Sequence, residues 1–213
     1  MHVMKLFDLS GKVALVTGGA GKYGSPMVEA LAEAGATVIV ASRNLEKNEA
    51  FAGKLREQNL KVYAESYDQG DEQSIFSLCD RLVETYGKVD ILVNNAGGHS
   101  KSACGLLEKE TLQGWHDFIE SNMTGTFLML REYAKLMMPQ KSGSIINIAS
   151  MAGLVGRDRT IYGNDMTPNP IAYSAAKAGM LGLTTDTAAY LGQYGIRVNA
   201  VSPGGFERTQ PEH

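Results

Sequence analysis

The sequence predicts an α/β fold: a doubly wound parallel sheet, of Rossmann type, with helices on both faces. Three observations carry that expectation. Short apolar runs alternate with amphipathic stretches of helical length along most of the chain. The runs are nearly continuous in apolar character, as strands covered on both faces must be. Glycine is abundant, 24 of 213 residues, without any internal repeat, which suits many tight strand-to-helix turns. The length and the absence of a linker predict a single domain over residues 1–213.

The elements follow in order. Val13 to Thr17 is a continuous apolar run ending at Gly18-Gly19 and reads as the first strand. Ser25 to Ala34 reads as a helix stopped by Gly35, with Pro26 tolerated in the first turn. Thr37 to Ala41 is the second strand, Leu45 to Gln58 a helix opened by Asn44, and Lys61 to Ala64 a weaker third strand. Ser74 to Tyr86 is the clearest helix: Ile75, Leu78, Cys79, Leu82, Val83 and Tyr86 fall at helical spacing and Gly87 ends it. Val89 to Val93 is the fourth strand. Thr111 to Met138 reads as one long helix stopped by Pro139. Ser144 to Ile148 is the fifth strand, Tyr173 to Tyr194 a further helix, and Arg197 to Val201 the sixth strand.

Composition narrows the function classes. Lys+Arg is 20 and Asp+Glu is 23, a net charge of −3 without long like-charge runs, so no nucleic-acid partner is expected. No stretch is apolar enough for a membrane span, and Met1 to Lys12 lacks a signal-peptide core, so a cytoplasmic location is expected. The two cysteines, Cys79 and Cys104, read as reduced thiols, with Cys79 on a buried stripe. His2, His99, His116 and His213 show no metal-ligand spacing, and no metal is expected.

The chemistry begins where the first strand ends. Glycines 19, 21 and 24 in Thr17-Gly18-Gly19-Ala20-Gly21-Lys22-Tyr23-Gly24 fit G-x-G-x-x-G, with a strand before and a helix after. Glycines allow close approach of the backbone to a pyrophosphate, and the helix N-terminus offers free N–H groups and a positive dipole end. Gly18, Gly19, Gly21, Lys22, Tyr23 and Gly24 are therefore candidate cofactor-binding residues.

Further motifs come in order along the chain: Asn94-Asn95-Ala96-Gly97 after the fourth strand, Ser150 after the fifth, Tyr173-Ser174-Ala175-Ala176-Lys177, and Ser202-Pro203-Gly204 after the sixth. Together with Thr17-Gly18 they resemble the classical short-chain dehydrogenase/reductase family, from about Lys12 to Gly204. One feature departs from the pattern. Lys22 occupies the place of the middle glycine, and the resulting spacing is like that of the extended branch, which acts on nucleotide sugars.

A ketone reduced by hydride needs an acid. A free phenol is a weak one, with a pKa of about 10, and a nearby cation favours its ionised form. Tyr173 and Lys177 are four residues apart and share a helix face. The resemblance implies that Tyr173 is the general acid/base and that Lys177 also holds the nicotinamide ribose. It implies that Ser150 binds the substrate oxygen and that Asn122 supports a proton relay through water. It further implies cofactor contacts from Asp68, Asn95, Ala96, Gly97, Pro203 and Gly204.

Cofactor choice is read from the end of the second strand, where NAD sites carry a carboxylate. Here the segment is Val40-Ala41-Ser42-Arg43-Asn44. Ser42 and Arg43, with Lys22, suit a 2′-phosphate, so NADP(H) is expected over NAD(H). Between Ser150 and Tyr173 lie 22 residues, more than is typical of the family, including Arg157, Asp158, Arg159, Asn164, Asp165, Pro168 and Asn169. That polar insertion suggests a small polar substrate (a sugar, sugar acid or polyol), with a solvated surface loop as the alternative. Tyr162 is not followed by Lys at 166 and is set aside.

The expected activity is interconversion of a secondary alcohol and a ketone with a nicotinamide cofactor. The competing readings are an extended-type nucleotide-sugar epimerase or dehydratase, and a non-catalytic dinucleotide-binding protein. The wide apolar stripe from Leu112 to Met137 fits either a broad core face or a subunit interface; the resemblance implies a homodimer or homotetramer. It also implies a substrate lid and a seventh strand beyond Gly204, expected to be absent from this chain, with Glu207 to His213 polar and structureless.

Overall fold

All five residues of β1 (Val13–Thr17) are buried, as a doubly covered strand requires. In the computed structural model residues 3–97, 105–158 and 169–205 are described. β1 is flanked by β2 (Thr37–Ser42) and β4 (Ile91–Asn94), with β3 (Val62–Ser66), β5 (Gly143–Ile148) and β6 (Ile196–Val201) completing one parallel sheet. The order is β3-β2-β1-β4-β5-β6, and Leu15 sits in register with Ile39 on one side and Leu92 on the other. The chain winds outward from β1 to β3, then crosses back to β4. The reversal between β1 and β4 is a topological switch point, which opens a crevice at the carboxyl ends of the strands.

Alternation along each strand builds two cores. Leu15 and Ile39 pack on one face with Leu78 and Leu82 of α3 (Glu72–Tyr86) and Tyr133 and Met137 of α5 (Gly125–Gln140). Val16, Val38 and Val40 pack on the other with Val28 of α1 (Gly24–Glu33) and Ala52 and Leu55 of α2 (Leu45–Arg56). Local chemistry sets the helix ends. The Asn44 side chain accepts from the Lys47 N–H and caps α2, Asp71 does the same for α3 through Gln73, and Gly87 ends α3 in the left-handed region. Cys79 is half-buried against the first core, and burial pushes its thiol up to about 11. Among the described residues no helix is long and apolar enough to cross a membrane.

Several expected boundaries move by a few residues. β3 and β4 each shift toward the C-terminus, α3 starts two residues earlier, and α6 (Ile171–Leu191) begins before Tyr173. The larger correction concerns Thr111 to Met138, which is not one helix. It divides into α4 (Leu112–Ile119), a π-helical turn at Glu120–Thr124, and α5, whose last turn contains Pro139. Side chains stabilise carbonyls in and beside that wide turn. Gln69 Nε2 donates to the Ser121 carbonyl at 2.8 Å, and Thr126 Oγ1 donates to the Asn122 carbonyl at 2.8 Å. The broad apolar stripe is divided: Phe118, Leu130, Tyr133 and Met137 are buried, while Leu112 and Phe127 are exposed. Cys104, His2, His99, His213, Arg159, Tyr162, Asn164, Asp165, Pro168 and the segment 207–213 lie outside the described residues.

Candidate active site

The crevice at the switch point contains two adjoining cavities. The larger is a cleft of about 820 Å³ beneath the turn that joins β1 to α1. Gly18, Gly21, Lys22 and Tyr23 line its floor, with Ser42, Arg43 and Asp68 on one side and Asn95, Ala96 and Gly97 on the other. Gly18 has φ of +64°, which a side chain would strain. Gly24 lies against the Gly18 carbonyl and the Gly19 backbone, where a Cβ would collide with main chain that cannot swing away. The turn is thus a cradle of bare backbone leading into the positive end of α1. Such a cradle fits the pyrophosphate of a dinucleotide.

A hydroxyl holds this cradle in place. Thr17 is fully buried, and its Oγ1 donates to the Val93 carbonyl while accepting the N–H groups of Asn95 at 3.0 Å and Ala96 at 2.9 Å. Asn95 Nδ2 returns a bond to the Thr17 carbonyl at 2.9 Å and another to Gly18 at 3.2 Å. Gln69 Nε2 reaches both Ala96 and Ser121, joining the cleft wall to the π turn. Thr17 and Gln69 are absent from the sequence-derived site. Asp68 lines the cleft, and its Oδ1 accepts the Gly70 N–H at 3.0 Å.

Ser42 lines the cleft, and its hydroxyl proton is already engaged. Buried Asn48 donates from Nδ2 to the Glu65 carbonyl at 2.8 Å, which turns its Oδ1 toward Ser42. The Ser42 hydroxyl donates to that oxygen at 2.7 Å. Ser42 therefore presents lone pairs to the cleft. The positive groups there are Lys22, Arg43 and Lys47, none of which forms an ion pair among the described residues. Lys47 went unnoticed in the sequence because it reads as an ordinary exposed helix residue.

The second cavity, about 190 Å³, opens beside the first and shares Tyr23, Asn95 and Gly97 with it. Its walls bring together Asn122, Ser150, Tyr173, Lys177, Pro203 and Gly204, from separate stretches of chain. Ser150 caps a 3₁₀ turn, Met151–Gly153, by accepting the Ala152 N–H at 3.2 Å. The Met151 N–H is held by the Pro203 carbonyl at 3.0 Å, which ties the end of β5 to the segment after β6. Asn122 is buried in the π turn and donates to the Phe118 carbonyl at 3.0 Å.

Tyr173 lies half-buried in the first turn of α6, with Phe118 edge-on to its ring at a centroid distance of 6.1 Å. Lys177 is one turn on, 6% exposed, and its Nζ is 5.9 Å from the Tyr173 ring centroid. Nζ donates to the Ile148 carbonyl at 2.6 Å. Burial lowers the Lys177 ammonium from the ordinary 10.5 to about 8. A buried cation one helical turn from a phenol, in one cavity with a capping serine, can handle a proton at an oxygen held there.

This arrangement defines a dinucleotide-binding α/β domain with a second cavity suited to acid–base chemistry. The short chain dehydrogenase family pattern matches residues 12–212, and the chain belongs to that family. It is a nicotinamide-dependent oxidoreductase of the classical short-chain dehydrogenase/reductase type. It is 35% identical over 197 residues to a D-threitol dehydrogenase of Mycolicibacterium smegmatis, covering 92% of this chain and 71% of that one. It is 34% identical to a 3-oxoacyl-[acyl-carrier-protein] reductase of Synechocystis, covering 92% and 74%. Similar solved structures include an NAD+-bound xylitol dehydrogenase, with TM-score 0.82, 33% identity, and coverage of 92% and 70%. A gluconate 5-dehydrogenase from Burkholderia cenocepacia, in complex with NADP and tartrate, has TM-score 0.85 and 30% identity, covering 97% and 76%.

Proposed function

We propose that the protein interconverts a secondary alcohol and a ketone on a small polar substrate (a polyol, sugar or sugar acid), with NADP(H) preferred over NAD(H). One observation carries this reading: Asn122, Ser150, Tyr173 and Lys177 converge on one small cavity that shares Tyr23, Asn95 and Gly97 with the larger cleft. When bound, the nicotinamide supplies or accepts the hydride. The chain's own residues manage the oxygen and its proton. Ser150 hydrogen-bonds the substrate oxygen. Tyr173 gives that oxygen a proton in reduction and takes it in oxidation. Lys177, anchored at the Ile148 carbonyl, holds positive charge beside Tyr173 and takes part in binding the ribose. Asn122 lines the same cavity and supports the path by which the proton is replaced from water.

The preference for NADP(H) rests on Arg43, Lys47 and Lys22, three cations without ionic partners among the described residues, and on the lack of an acid at the end of β2. Such groups favour a phosphate over a bare ribose hydroxyl. The polar substrate class is supported by the cavity's size and by relatives acting on threitol, xylitol and gluconate. Assembly as a homodimer or homotetramer through α5 and α6 belongs to the same reading, with Phe127 and Tyr190 exposed on those helices, and so does a cytoplasmic location.

The 3-oxoacyl carrier-protein reductases among the relatives favour a second reading, reduction of the 3-keto group of an acyl thioester. One experiment separates the two. NADPH or NADH oxidation is followed with ketoses, keto-sugar acids and a 3-oxoacyl thioester, and cofactor reduction with polyols and aldonic acids. Turnover of the polyol or sugar-acid set with the phosphorylated cofactor is expected. Turnover confined to the thioester would overturn the substrate assignment, and a kcat/KM higher with NADH would overturn the cofactor assignment.

A further inference from the structure

The proposed reaction gives no task to Arg157, yet the side chain of this residue is committed to the first turn of α6. Arg157 comes shortly after the 3₁₀ turn that Ser150 caps. Its Nη2 crosses to the carbonyl of Asn169 at 2.9 Å, with a longer contact to that of Pro170 at 3.5 Å. Pro170 is the N-cap of α6 and provides no side-chain cap. Its carbonyl also accepts the Tyr173 N–H at 3.1 Å. The Arg157 guanidinium carbon lies 5.8 Å from the Tyr173 ring centroid. One side chain therefore contacts both the backbone that starts α6 and the ring of the proposed acid.

Among the described residues Phe118 and Lys177 also flank that ring, and each is fixed independently. Phe118 is fully buried, and Lys177 is pinned at the Ile148 carbonyl. Arg157 is the restraint that comes from the segment after Ser150. Its Nη1 is buried and has no hydrogen-bond partner among the described residues. An orphaned guanidinium N–H is unfavourable for folding, so stability alone is a poor reason for an arginine here. A planar guanidinium can bond a carbonyl at its edge while stacking on an aromatic face, which a lysine ammonium does less well.

We infer that Arg157 is a positioning residue: it ties the Ser150 segment to the start of α6 and sets the Tyr173 ring so that both hydroxyls address one substrate oxygen. The inference rests on the role proposed for Tyr173. It concerns geometry at the reacting oxygen and leaves the cofactor cleft untouched. Small displacements at such a site cost roughly 10–100-fold in rate.

The test compares wild type with Arg157→Met, Arg157→Lys and Tyr173→Phe in protein carrying ¹³C-labelled tyrosine rings. The Tyr173 signal is the one missing from Tyr173→Phe. Arg157→Met is expected to move that signal and leave NADPH affinity unchanged. With the best substrate of the polyol and sugar-acid panel, it should lower kcat roughly 10–100-fold with KM little changed. Arg157→Lys should recover part of the rate. If Arg157→Met melts far below wild type, Arg157→Lys, which lacks the planar guanidinium, supplies the ring-signal comparison in a folded protein. An unmoved Tyr173 signal, or a kcat equal to wild type, overturns the inference. Activity surviving in Tyr173→Phe would instead overturn the reading of Tyr173, and the ring signal would still report the Arg157 contact.

Discussion

The two cavities share three residues yet are built on different principles. The dinucleotide cleft is built around a backbone turn. Its cradle is one contiguous run, Gly18 to Gly24, held by the Thr17 hydroxyl and the Asn95 amide. The reaction cavity is made of side chains delivered by the π turn, the ends of β5 and β6, and the first turns of α6. Backbone geometry dictates a local run of glycines. Side-chain convergence dictates only that certain residues stand at certain strand and helix ends. The first cavity should therefore be sensitive to added bulk and to its hydrogen-bonded frame, and the second to single functional groups.

The sharpest way to separate the two cavities is Tyr173→Phe. It should lower turnover roughly 10²–10⁴-fold while cofactor affinity stays at the wild-type level. Steady-state rates beside a cofactor titration measure both. A parallel loss of cofactor affinity would show that the cavities act as one.

Lys177 tests the reaction cavity through stability. Its folded pKa of about 8 lies below the ordinary 10.5, so between those values the unfolded chain holds more protons than the folded one. Stability should rise as pH climbs through that window. At neutral pH the buried ammonium costs about 3 kcal/mol. Lys177→Met, which keeps the apolar stem, should gain on wild type near pH 7 and lose that advantage by about pH 10. Urea unfolding of the cofactor-free proteins at the two pH values reads the difference.

Thr17→Val tests the frame of the cleft. Removing the hydroxyl strands the Asn95 and Ala96 N–H groups and should cost about 2 kcal/mol, seen as a lower urea midpoint. Cofactor affinity should fall with it, while the chemical step at saturating cofactor changes little. The smallest effect is at the rim. Arg43→Ala with Lys47→Ala should reduce the kcat/KM ratio of NADPH over NADH by about tenfold, since both cations are exposed. No change in that ratio would remove both residues from cofactor selection.

Legibility in the sequence divides along the same line. Strand positions, the glycine turn, the Asn44 cap and the Gly87 stop depend on neighbours in sequence, and all are found near where the pattern places them. Tyr173 and Lys177 were readable through the family resemblance and their place after Ser150; helical spacing puts them on one face, but that spacing alone is common. The state of Ser42 was not readable, since the amide oxygen that accepts its hydrogen bond is itself oriented by a carbonyl on β3. Thr17 and Gln69 were missed for the same reason: a hydroxyl and an amide become hubs only when distant chain folds around them. The interruption of the Thr111 to Met138 stretch left no trace in composition. Leu112, Phe118, Phe127 and Met137 look as apolar in a wide turn as in a regular one.

That interruption has a consequence for how this chain can change over time. A π turn stores one surplus residue, and each residue of a regular helix advances the facing direction by about 100°. Glu120–Thr124 therefore works as a phase offset between α4 and α5. Substitutions within it alter single contacts, but deleting one residue would restore an unbroken helix and swing one flank out of phase with the other. Either Asn122 would leave its cavity or Tyr133 and Met137 would leave the core. In this stretch the count of residues is held more tightly than their identities, so lineages should drift in spelling and not in length.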